Sequence, residues 1–301
     1  MEKIKIIFLG TGFAIPTKDR NHSAILVSFG KENILVDCGE GTQRQFKIAG
    51  LSMMKLTKIL ITHWHGDHVI GLIGLLESLA LQGYNKPLTI YGPKGTKYFM
   101  EIIGRLTGIH NIYKLKYEVE EVSGKFFEEK DFFIEAAPMK HRIPANAYSI
   151  VFKSKTRLDR NKLKKLKIPN SPLMKQLAEG KDIIINGKKI KASAVAYKEK
   201  GRKISFVLDT VYNEDAVRLA KNSDLLIAEA SFLKKDEEKA RAYWHMTVEE
   251  AAKLAKNSGS KELILTHISE RYKTCLNELE KEAKKIFKNT KLAKDFMRLE
   301  I

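Results

Sequence analysis

Three histidines and one aspartate lie close together in the segment THWHGDH, residues 62–68. A neutral imidazole binds zinc through one nitrogen, and a carboxylate binds it through oxygen, at about 2.0–2.2 Å. His63 and His65 are two residues apart, so their side chains share one side of a strand-like backbone. The glycine that follows permits a sharp turn, which aims Asp67 and His68 in another direction. Four ligands in two pairs are more than one catalytic zinc takes from a single loop, so this spacing favours two neighbouring metals.

A pair of catalytic metals needs further ligands, and three residues elsewhere in the chain are candidates. His141 follows FFIEAAPMK, Asp209 follows ISFVL and His267 follows ELILT, so each stands just beyond an apolar, strand-like run. In α/β sheets, sites form outside the carboxyl ends of strands because the loops converge there. Each residue also has an ordinary structural interpretation: a lone histidine in packing or on the surface, and an aspartate as a helix cap.

Short apolar segments alternate with amphipathic helices, and these elements must position the ligands. The expected strands are KIKIIFLG, SAILVSFG, ENILVDCG, LTKILIT, PLTIYGP, KISFVLDT, DLLIAEAS and ELILTH. The expected helices cover residues 40–50, 69–83, 95–108, 213–222, 247–258 and 276–288. This alternation predicts an α/β layered fold. ENILVDCGEGTQRQ and KISFVLDTVYNEDA share the order strand, aspartate, turn, helix, which indicates either two similar halves or a chance likeness.

The length and composition allow an extensive core. The chain has 301 residues, 44% of them hydrophobic, enough for one large or two ordinary domains. No apolar run reaches the roughly 18 residues of a membrane span, and the amino terminus lacks the features of a signal peptide. A cytosolic protein is therefore expected. Cys38 and Cys275 are too few for a disulfide framework and too far apart for a zinc pair, so both are expected to be reduced.

Positive charge is concentrated in one segment. The chain carries 54 Lys and Arg against 36 Asp and Glu, which suggests a polyanionic partner or the lysine-rich surface of a thermophile. Residues 153–203 hold 17 Lys and Arg against four acids, a net charge of +13. Apolar residues are sparse there, so we expect this segment to contribute barely to a core. It is interpreted as an inserted basic arm outside the main body, or alternatively as a solvated lysine-rich loop.

Together these motifs resemble one branch of the metallo-β-lactamase superfamily, the ribonuclease Z family of tRNA 3′-processing endonucleases. THWHGDH matches the superfamily signature. Further segments resemble the motifs of this branch in the expected order: FLGTGFAIPTKDRNHSAILV, DCGEGTQRQ, KHRIPANAYSI, FVLDT, EAS, HMT and LTHIS. The resemblance covers nearly the whole chain. It implies a four-layer αβ/βα sandwich of the metallo-β-lactamase type, as a single domain over residues 1–301 with the arm, residues 153–203, inserted in it.

The resemblance also implies a division of the ligands between two zinc ions per subunit. One ion would be held by His63, His65 and His141. The other would be held by Asp67, His68 and His267. Asp209 would bridge the two, with a water or hydroxide between the metals as the nucleophile and Asp67 as the general base or orienting group. Manganese or iron is equally compatible with such ligands.

A second pair, Glu229 and His245, is assigned by the resemblance to proton transfer. Cleavage that leaves a 3′-hydroxyl requires a proton for the departing ribose oxygen, and a histidine oriented by a carboxylate suits that task. The residues alone favour a helix start, with Thr247 as N-cap and Glu250 completing a capping box. The two interpretations are compatible, because a cap fixes the backbone beside His245.

Two glycine-containing turns are expected to be architectural. Asp37, with Gly39, Glu40, Gly41 and Thr42, resembles a family motif, and we expect Asp37 to accept bonds from loop N–H groups near the ligands. Gly10, Thr11 and Gly12 match a phosphate-binding loop weakly, so a tight turn is the favoured interpretation.

In the ribonuclease Z family an arm grips the tRNA far from the metals, and LDRNKLKKLKIPNSPLMKQLAEGKD resembles it. The candidate RNA-binding residues are Arg160, Lys162, Lys164, Lys165, Lys167, Lys175 and Lys181. Ser171-Pro172 replaces the Gly-Pro element of the family, which puts the shape of the arm's tip in question. The family also implies a homodimer in which one subunit's arm holds the tRNA that the other subunit cuts.

The function implied is cleavage of tRNA precursors immediately 3′ of the acceptor stem, which leaves a 3′-hydroxyl on the tRNA and a 5′-phosphate on the trailer. Two alternatives stay open at this point. One is a di-zinc phosphodiesterase or hydrolase that acts on a small molecule. The other is a basic RNA-binding protein whose metal site is only structural.

Overall fold

The structure is a computed structural model that describes residues 3–109, 115–185 and 187–301. These residues divide into two compact units. The smaller unit comprises residues 128–133 and 151–202, and the larger unit comprises the rest of the described chain. Among the helices described, none has the length and apolar character needed to cross a membrane. Cys38 and Cys275 are free thiols, as predicted.

The first sheet of the larger unit has seven strands in the order β20-β1-β3-β4-β5-β6-β7. They are β1 Lys5–Gly10, β3 Ala24–Phe29, β4 Glu32–Val36, β5 Lys58–Leu60, β6 Thr89–Gly92, β7 Glu118–Glu121 and β20 Arg298–Glu300. Strands β4 to β7 are parallel to one another, whereas β3 and β20 are antiparallel to β1. The carboxyl ends of β4 and β5 therefore lie at the same edge.

The second sheet also has seven strands, in the order β19-β17-β16-β15-β10-β9-β8. They are β8 Gly124–Glu128, β9 Phe132–Met139, β10 Ala145–Phe152, β15 Arg202–Val207, β16 Leu225–Glu229, β17 Leu263–Thr266 and β19 Thr290–Leu292. Strands β15, β16, β17 and β19 are parallel. A separate parallel pair joins β2, Gly12–Phe13, to β18, Ile268–Ser269.

Helices pack on one face of each sheet. The helices of the larger unit are α1 Thr42–Ile48, α2 Gly66–Val69, α3 Gly71–Leu81, α4 Thr96–Thr107, α8 Glu214–Leu219, α9 Glu237–Tyr243, α10 Val248–Asn257 and α11 Leu276–Lys284. Short 3₁₀ turns cover Met53–Lys55, Lys234–Asp236 and Glu270–Tyr272. The side chains of α1, α3 and α4 share a core with the first sheet, and those of α8, α10 and α11 share a core with the second.

The opposite face of each sheet is buried as well. Ile6 and Phe8 alternate along β1 with residues of the helix-covered core, and both have no exposed surface. Phe206 of β15 and Ile227 of β16 are equally buried in the second sheet. Sheets that are covered on both faces, with helices on only one, form the inner layers of a sandwich. The predicted four-layer α/β fold is thus confirmed.

The smaller unit contains most of the predicted arm. Its strands β11 Lys155–Leu158 and β14 Ala196–Glu199 pair with each other, as do β12 Ile183–Ile185 and β13 Lys188–Ile190. Its helices are α5 Arg160–Lys165, α6 Leu173–Ala178 and α7 Ala192–Val195. Pro172 stands at the N-cap of α6, so Ser171-Pro172 begins a helix.

Although apolar residues are few in the smaller unit, six are buried together: Leu163, Ile168, Leu177, Ile183, Ala192 and Val195. We expected this segment to contribute barely to a core, but the segment forms a small core of its own. The assignment of residues 153–203 as an arm within a single domain stays a prediction.

Most elements fall within their predicted ranges, with ends trimmed by one to four residues. The carboxyl-terminal helix ends at Lys284 rather than at residue 288, and α1 begins at Thr42 rather than at residue 40. Helix α9 and strands β7, β8, β10, β19 and β20 are among the elements that were not predicted. The sequences of α9, β7 and β8 are rich in charged residues, so the apolar periodicity that reveals other elements is weak in them.

A close approach at Gly71 holds two sequence motifs together. The Gly71 N–H donates to the Cys38 carbonyl at 3.0 Å, and the Cys38 N–H donates to the His68 carbonyl at 2.8 Å. A Cβ atom at Gly71 would lie 1.9 Å from the Gly39 carbonyl oxygen, which no side chain can tolerate. Glycine at this position therefore lets the DCGEG turn pack against the start of helix α3, beside the HGDH segment.

Candidate metal centre

Six of the eight histidines of the chain meet in the larger unit, and five of them lie just beyond the carboxyl ends of strands. His63 to His68 follow β5, His141 follows β9 and His267 follows β17. Asn146 N donates to the Thr62 carbonyl at 2.8 Å, which ties the loop after the first sheet to β10 of the second. All seven residues predicted as metal ligands come together here, although they are spread over 205 positions of the sequence.

The first cluster contains His63, His65, His141 and Asp209. His65 Nδ1 lies 3.0 Å from His63 Nε2 and 3.1 Å from His141 Nε2. Asp209 Oδ2 lies 3.4 Å from His63 Nε2. One nitrogen of each imidazole and one carboxylate oxygen therefore point at a common centre.

The second cluster contains Asp67, His68 and His267. His68 Nε2 lies 3.1 Å from His267 Nε2 and 3.5 Å from Asp67 Oδ2. The other carboxylate oxygen of Asp209, Oδ1, lies 3.4 Å from His68 Nε2. Asp209 thus offers one oxygen to each cluster, which is the arrangement that a bridging ligand needs.

The spacing of these donor atoms fits a metal ion. A tetrahedral zinc with bonds of about 2.0–2.1 Å places its ligand atoms roughly 3.3–3.4 Å apart, close to the distances in both clusters. Asp209 is 2% exposed, and its Oδ1 accepts no hydrogen bond from the described residues. A buried carboxylate oxygen without a partner is costly unless a cation compensates it. The residues present therefore fit a pair of metal ions.

Four ligand imidazoles use their second nitrogen to contact an oxygen of the chain. Such contacts fix the tautomer and the orientation of a metal-binding histidine. They join His63 Nδ1 to Thr62 Oγ1 at 3.1 Å, His68 Nδ1 to Asp37 Oδ2 at 2.6 Å, His141 Nδ1 to the Trp244 carbonyl at 3.1 Å and His267 Nδ1 to Ser231 Oγ at 3.1 Å.

Asp37 does more than shape the DCGEG turn. Its carboxylate accepts the Thr62 backbone N–H at 2.7 Å, as expected for a residue that organises the neighbouring loop. It also accepts a hydrogen bond from the Thr62 hydroxyl and contacts His68. One buried carboxylate therefore orients His68 directly and His63 through Thr62.

Backbone strain is concentrated around the centre. Eight non-glycine residues of the described chain have positive φ angles, and five of them border the clusters. The five are Ala14 (φ 53°), Asp37 (φ 58°), Asp209 (φ 27°), Trp244 (φ 62°) and His267 (φ 58°). Such conformations persist only where surrounding contacts hold them, and they are typical of functional sites.

Glu229 and His245 form a buried pair beside the clusters. Glu229 Oε2 lies 2.8 Å from His245 Nδ1, and Glu229 also accepts bonds from the Thr210 N–H and the Ser231 hydroxyl. Burial lowers the pKa of His245, but the Glu229 carboxylate outweighs it and raises the pKa to about 9. The capping box of Thr247 and Glu250 is present, so the helix interpretation is confirmed.

Burial and neighbouring charges also shift the pKa values of the candidate ligands. Burial holds the pKa of His63 well below its usual range, which favours the neutral imidazole that binds metals. Burial alone would raise the pKa of Asp209, but the facing imidazoles of His267, His68 and His63 lower it well below its usual range. Asp209 is therefore ionised.

The structure adds contacts to Asp67 and the neighbouring imidazoles that the sequence did not indicate. The Ala14 N–H donates to Asp67 Oδ2 at 3.1 Å, and the Ala14 carbonyl contacts His22 Nε2 at 3.0 Å. The Phe13 ring lies 4.8 Å from the His245 ring and 5.0 Å from the His267 ring. A backbone donor has no sequence signature, so only the paired strands β2 and β18 reveal that this segment reaches the centre.

The glycine turn at residues 10–12 uses its polar groups within the chain. Thr11 Oγ1 donates to Asp295 at 2.6 Å, and Gly12 N donates to the Asn21 carbonyl at 2.8 Å. A Cβ atom at Gly10 would lie 1.7 Å from the His22 carbonyl oxygen. These contacts support the tight-turn interpretation over a phosphate-binding loop.

The predicted RNA-binding residues lie elsewhere, in the smaller unit. All seven are exposed: Arg160, Lys162, Lys164, Lys165, Lys167, Lys175 and Lys181. Lys181 pairs with Glu179 at 3.1 Å. The other six have no acidic partner among the described residues, so their charges are available to a polyanion.

Comparisons with known proteins agree with this geometry. Residues 4–159 match the family model described as "Anti-Pycsar protein Apyc1", and residues 178–268 match the "Beta-lactamase superfamily domain". The chain is 40% identical to ribonuclease Z of Bacillus velezensis over 311 residues, covering 99% of each chain.

Two solved structures share the fold. Human tRNase Z, short form, is 29% identical with a TM-score of 0.71, covering 98% of each chain. The metallo-β-lactamase fold protein YhfI from Bacillus subtilis is 21% identical with a TM-score of 0.71 over all of both chains. Full-length similarity at 40% identity, together with the metallo-β-lactamase fold, shows that the chain belongs to the ribonuclease Z family.

Proposed function

We propose that this chain is a cytoplasmic, two-zinc endoribonuclease that cuts tRNA precursors on the 3′ side of the acceptor stem. It would leave a 3′-hydroxyl on the tRNA and a 5′-phosphate on the trailer. The observation that carries the proposal is the pair of ligand clusters sharing Asp209, in a chain that resembles ribonuclease Z over its full length. Such a pair of metals can neutralise the phosphate and activate water for phosphodiester hydrolysis.

In this proposal His63, His65 and His141 would hold one zinc, Asp67, His68 and His267 would hold the other, and Asp209 would offer an oxygen to each. When bound, the two cations supply a water nucleophile of lowered pKa and neutralise the charge that develops on the phosphate. Asp67 would orient this water by accepting a hydrogen bond from it. The Ala14 N–H donates to Asp67 Oδ2 at 3.1 Å, which restricts the rotation of the carboxylate.

His245 donates the proton that the departing ribose oxygen requires. With a pKa raised to about 9 it carries that proton at neutral pH, and Glu229 keeps the ring aligned through Nδ1. The hydrogen bond to Glu229 leaves Nε2 as the atom that faces the leaving group. His245 also lies near Asp209 and His267 in a third potential metal-binding group, but the Glu229 bond favours the proton-donor role.

The first prediction concerns the reaction itself. The zinc-loaded protein is expected to cut one defined pre-tRNA at a single site after the acceptor stem, and end mapping should show a 3′-hydroxyl and a 5′-phosphate. A chelator should abolish cleavage, and zinc should restore it. Hydrolysis of a small phosphodiester without pre-tRNA cleavage would establish the small-molecule enzyme instead. No turnover of any phosphodiester at full metal occupancy would establish a structural metal site.

The second prediction concerns the proton donor. The reaction rate should fall as pH rises through the pKa of His245, because only the imidazolium can donate. Replacing Glu229 with Gln removes the charge that raises this pKa, so the alkaline limb of the kcat profile should move down by roughly 1–3 pH units. His245→Ala should keep its zinc and show a rate roughly 10²–10⁴-fold lower.

Glu250→Gln is the matched control, since this carboxylate caps helix α10 without contacting His245. Its alkaline limb should coincide with that of the wild type. An unchanged limb in Glu229→Gln would remove His245 as the titrating acid.

The basic segment supplies the proposed grip on RNA. Helix α5 and the following turn carry Lys162, Lys164, Lys165 and Lys167, all exposed. Cations of this kind bind phosphates by releasing counterions, and that term depends steeply on salt. A tRNA is long enough to occupy such a surface while its 3′ end occupies a metal site, whereas a small substrate is not.

The third prediction tests this grip. Changing Lys162, Lys164, Lys165 and Lys167 together to Gln should weaken pre-tRNA binding, and the slope of log K against log salt should become shallower by up to roughly 0.7–0.9 for each phosphate that is no longer neutralised. The matched control changes four exposed lysines near the carboxyl terminus to Gln: Lys281, Lys284, Lys285 and Lys288. Equal effects of the two sets would count against the arm.

A homodimer is the proposed assembly, and helix α4 supports it. Tyr98, Ile102 and Leu106 are 63%, 43% and 73% exposed and lie four residues apart, so they form one apolar stripe. An exposed stripe of this kind marks a protein contact surface.

The fourth prediction is that Leu106→Glu converts the dimer to a monomer in sedimentation experiments, because the charge would be buried unpaired. Ile48→Glu changes an apolar residue of helix α1 that is 52% exposed; it is the control and should leave the sedimentation unchanged. A wild-type chain that sediments as a monomer would contradict the assembly.

A further inference from the structure

Trp244 is a partly exposed aromatic residue next in sequence to the proposed proton donor. The residue is 44% exposed and immediately precedes His245, which is 5% exposed. Its side chain makes no ring contact and no hydrogen bond with any other residue that the structure describes. An aromatic side chain of this size is normally buried or partnered, so a free indole at a reaction centre needs an explanation.

The backbone of Trp244 does not provide that explanation. Trp244 ends helix α9 with φ 62° and ψ 45°, in the left-handed region where glycine is unstrained and a bulky residue is not. Its carbonyl contacts His141 Nδ1 at 3.1 Å, which a glycine carbonyl would do equally well. A tryptophan therefore occupies a strained position whose backbone role does not require its side chain.

Two basic residues flank His141, the histidine that contacts the Trp244 carbonyl. Lys140 and Arg142 are exposed on either side of the buried His141. The Arg142 guanidinium donates to the Ala242 carbonyl and lies 5.4 Å from the centre of the Tyr243 ring. Loop 140–142 and the end of helix α9 are thus joined into one exposed surface with both basic and aromatic groups.

Tyr243 differs from its neighbour because its ring already has partners. It stacks parallel to the buried Phe232 ring, with centroids 6.3 Å apart and an interplanar angle of 3°. Phe232 in turn contacts the His245 ring at 6.0 Å. Tyr243 is 51% exposed, but Phe232 and Arg142 hold its ring, whereas the Trp244 ring has no such contact among the described residues.

We propose that Trp244 stacks on one nucleobase of the RNA next to the bond that is cut, while Lys140 and Arg142 contact the flanking phosphates. The proposal rests on the proposed function. Single-stranded nucleic acid is bound in this way, by aromatic platforms between cations, and the stacking tolerates any base because every base has a π face. The base comes either from the trailer or from the unpaired acceptor end of the tRNA, and both offer the same chemistry.

The most direct test uses tryptophan fluorescence. The chain has two tryptophans, so Trp64→Phe leaves Trp244 as the single probe. The zinc-loaded Trp64→Phe protein, checked for unchanged zinc content, is titrated with a trailer oligoribonucleotide and, separately, with mature tRNA. Both are products and are not cut. Saturable quenching by the trailer assigns the base to that side, and quenching by mature tRNA assigns it to the acceptor end. Binding of both without quenching overturns the proposal.

Three substitutions separate stacking from a backbone role. Trp244→Ala and Trp244→Gly should both raise KM for pre-tRNA, by about 5- to 150-fold, as expected when one base is no longer stacked, and the change should fall on KM more than on kcat. Trp244→Phe should stay within a few-fold of the wild type. If Trp244→Gly, which relieves the left-handed strain, matches the wild type, the side chain has no stacking role.

The two proposals fail in different ways. A wild-type protein that leaves pre-tRNA intact contradicts the nuclease function. Normal cleavage with an unquenched Trp244 contradicts only the stacking. Because the fluorescence measurement leaves Trp244 unchanged, poor folding of a substituted protein does not remove the test.

Discussion

The main physical constraint on this structure is the burial of several metal-binding nitrogen and oxygen atoms close to one another. Imidazole nitrogens of His63 and His141 lie within 3.0–3.1 Å of His65 Nδ1, and those of His68 and His267 lie 3.1 Å apart. Neutral imidazoles that present lone pairs to each other repel, and imidazolium ions repel more strongly. Cations between them remove both costs, so metal binding and folding of this region are thermodynamically linked.

Two buried carboxylates outside the ligand clusters fix the orientation of histidines at the centre. Asp37 and Glu229 stand at the ends of β4 and β16, one in each sheet, and each accepts a backbone N–H from the loop after a neighbouring strand. Asp37 then orients His68, and Glu229 orients His245. One carboxylate therefore orients a predicted metal ligand, and the other orients the proposed proton donor. The likeness noted between ENILVD and KISFVLD corresponds to strands β4 and β15, whose following aspartates, Asp37 and Asp209, both have positive φ.

The sequence predicted what depends on local patterns. Apolar runs indicated the positions of the strands, and the ligands were found because each stands at the end of such a run. The resemblance to ribonuclease Z then assigned the pairing between distant histidines, which spacing alone left open. Element ends, the α9 helix and the small core of residues 163–195 were missed, because charged helices and sparse apolar residues carry little periodic signal.

Other features could not be predicted because they depend on tertiary contacts. The Ala14 N–H donates to Asp67, which is 53 positions away in the sequence. The residue type at position 14 does not indicate this contact, because the donor belongs to the backbone. The exposure of Trp244, next to His245, has no local sequence signature either. It is evident only from the position of helix α9 in the structure. The pKa of His245 likewise depends on Glu229, which is 16 residues away and reaches it through the fold.

Anomalous diffraction from crystals grown with zinc is the most direct test of the central claim. We expect two ions per chain, about 3.5–4 Å apart, one among His63, His65 and His141 and the other among Asp67, His68 and His267. Asp209 should contribute one oxygen to each ion. A single ion, or two ions that Asp209 does not join, would contradict the account.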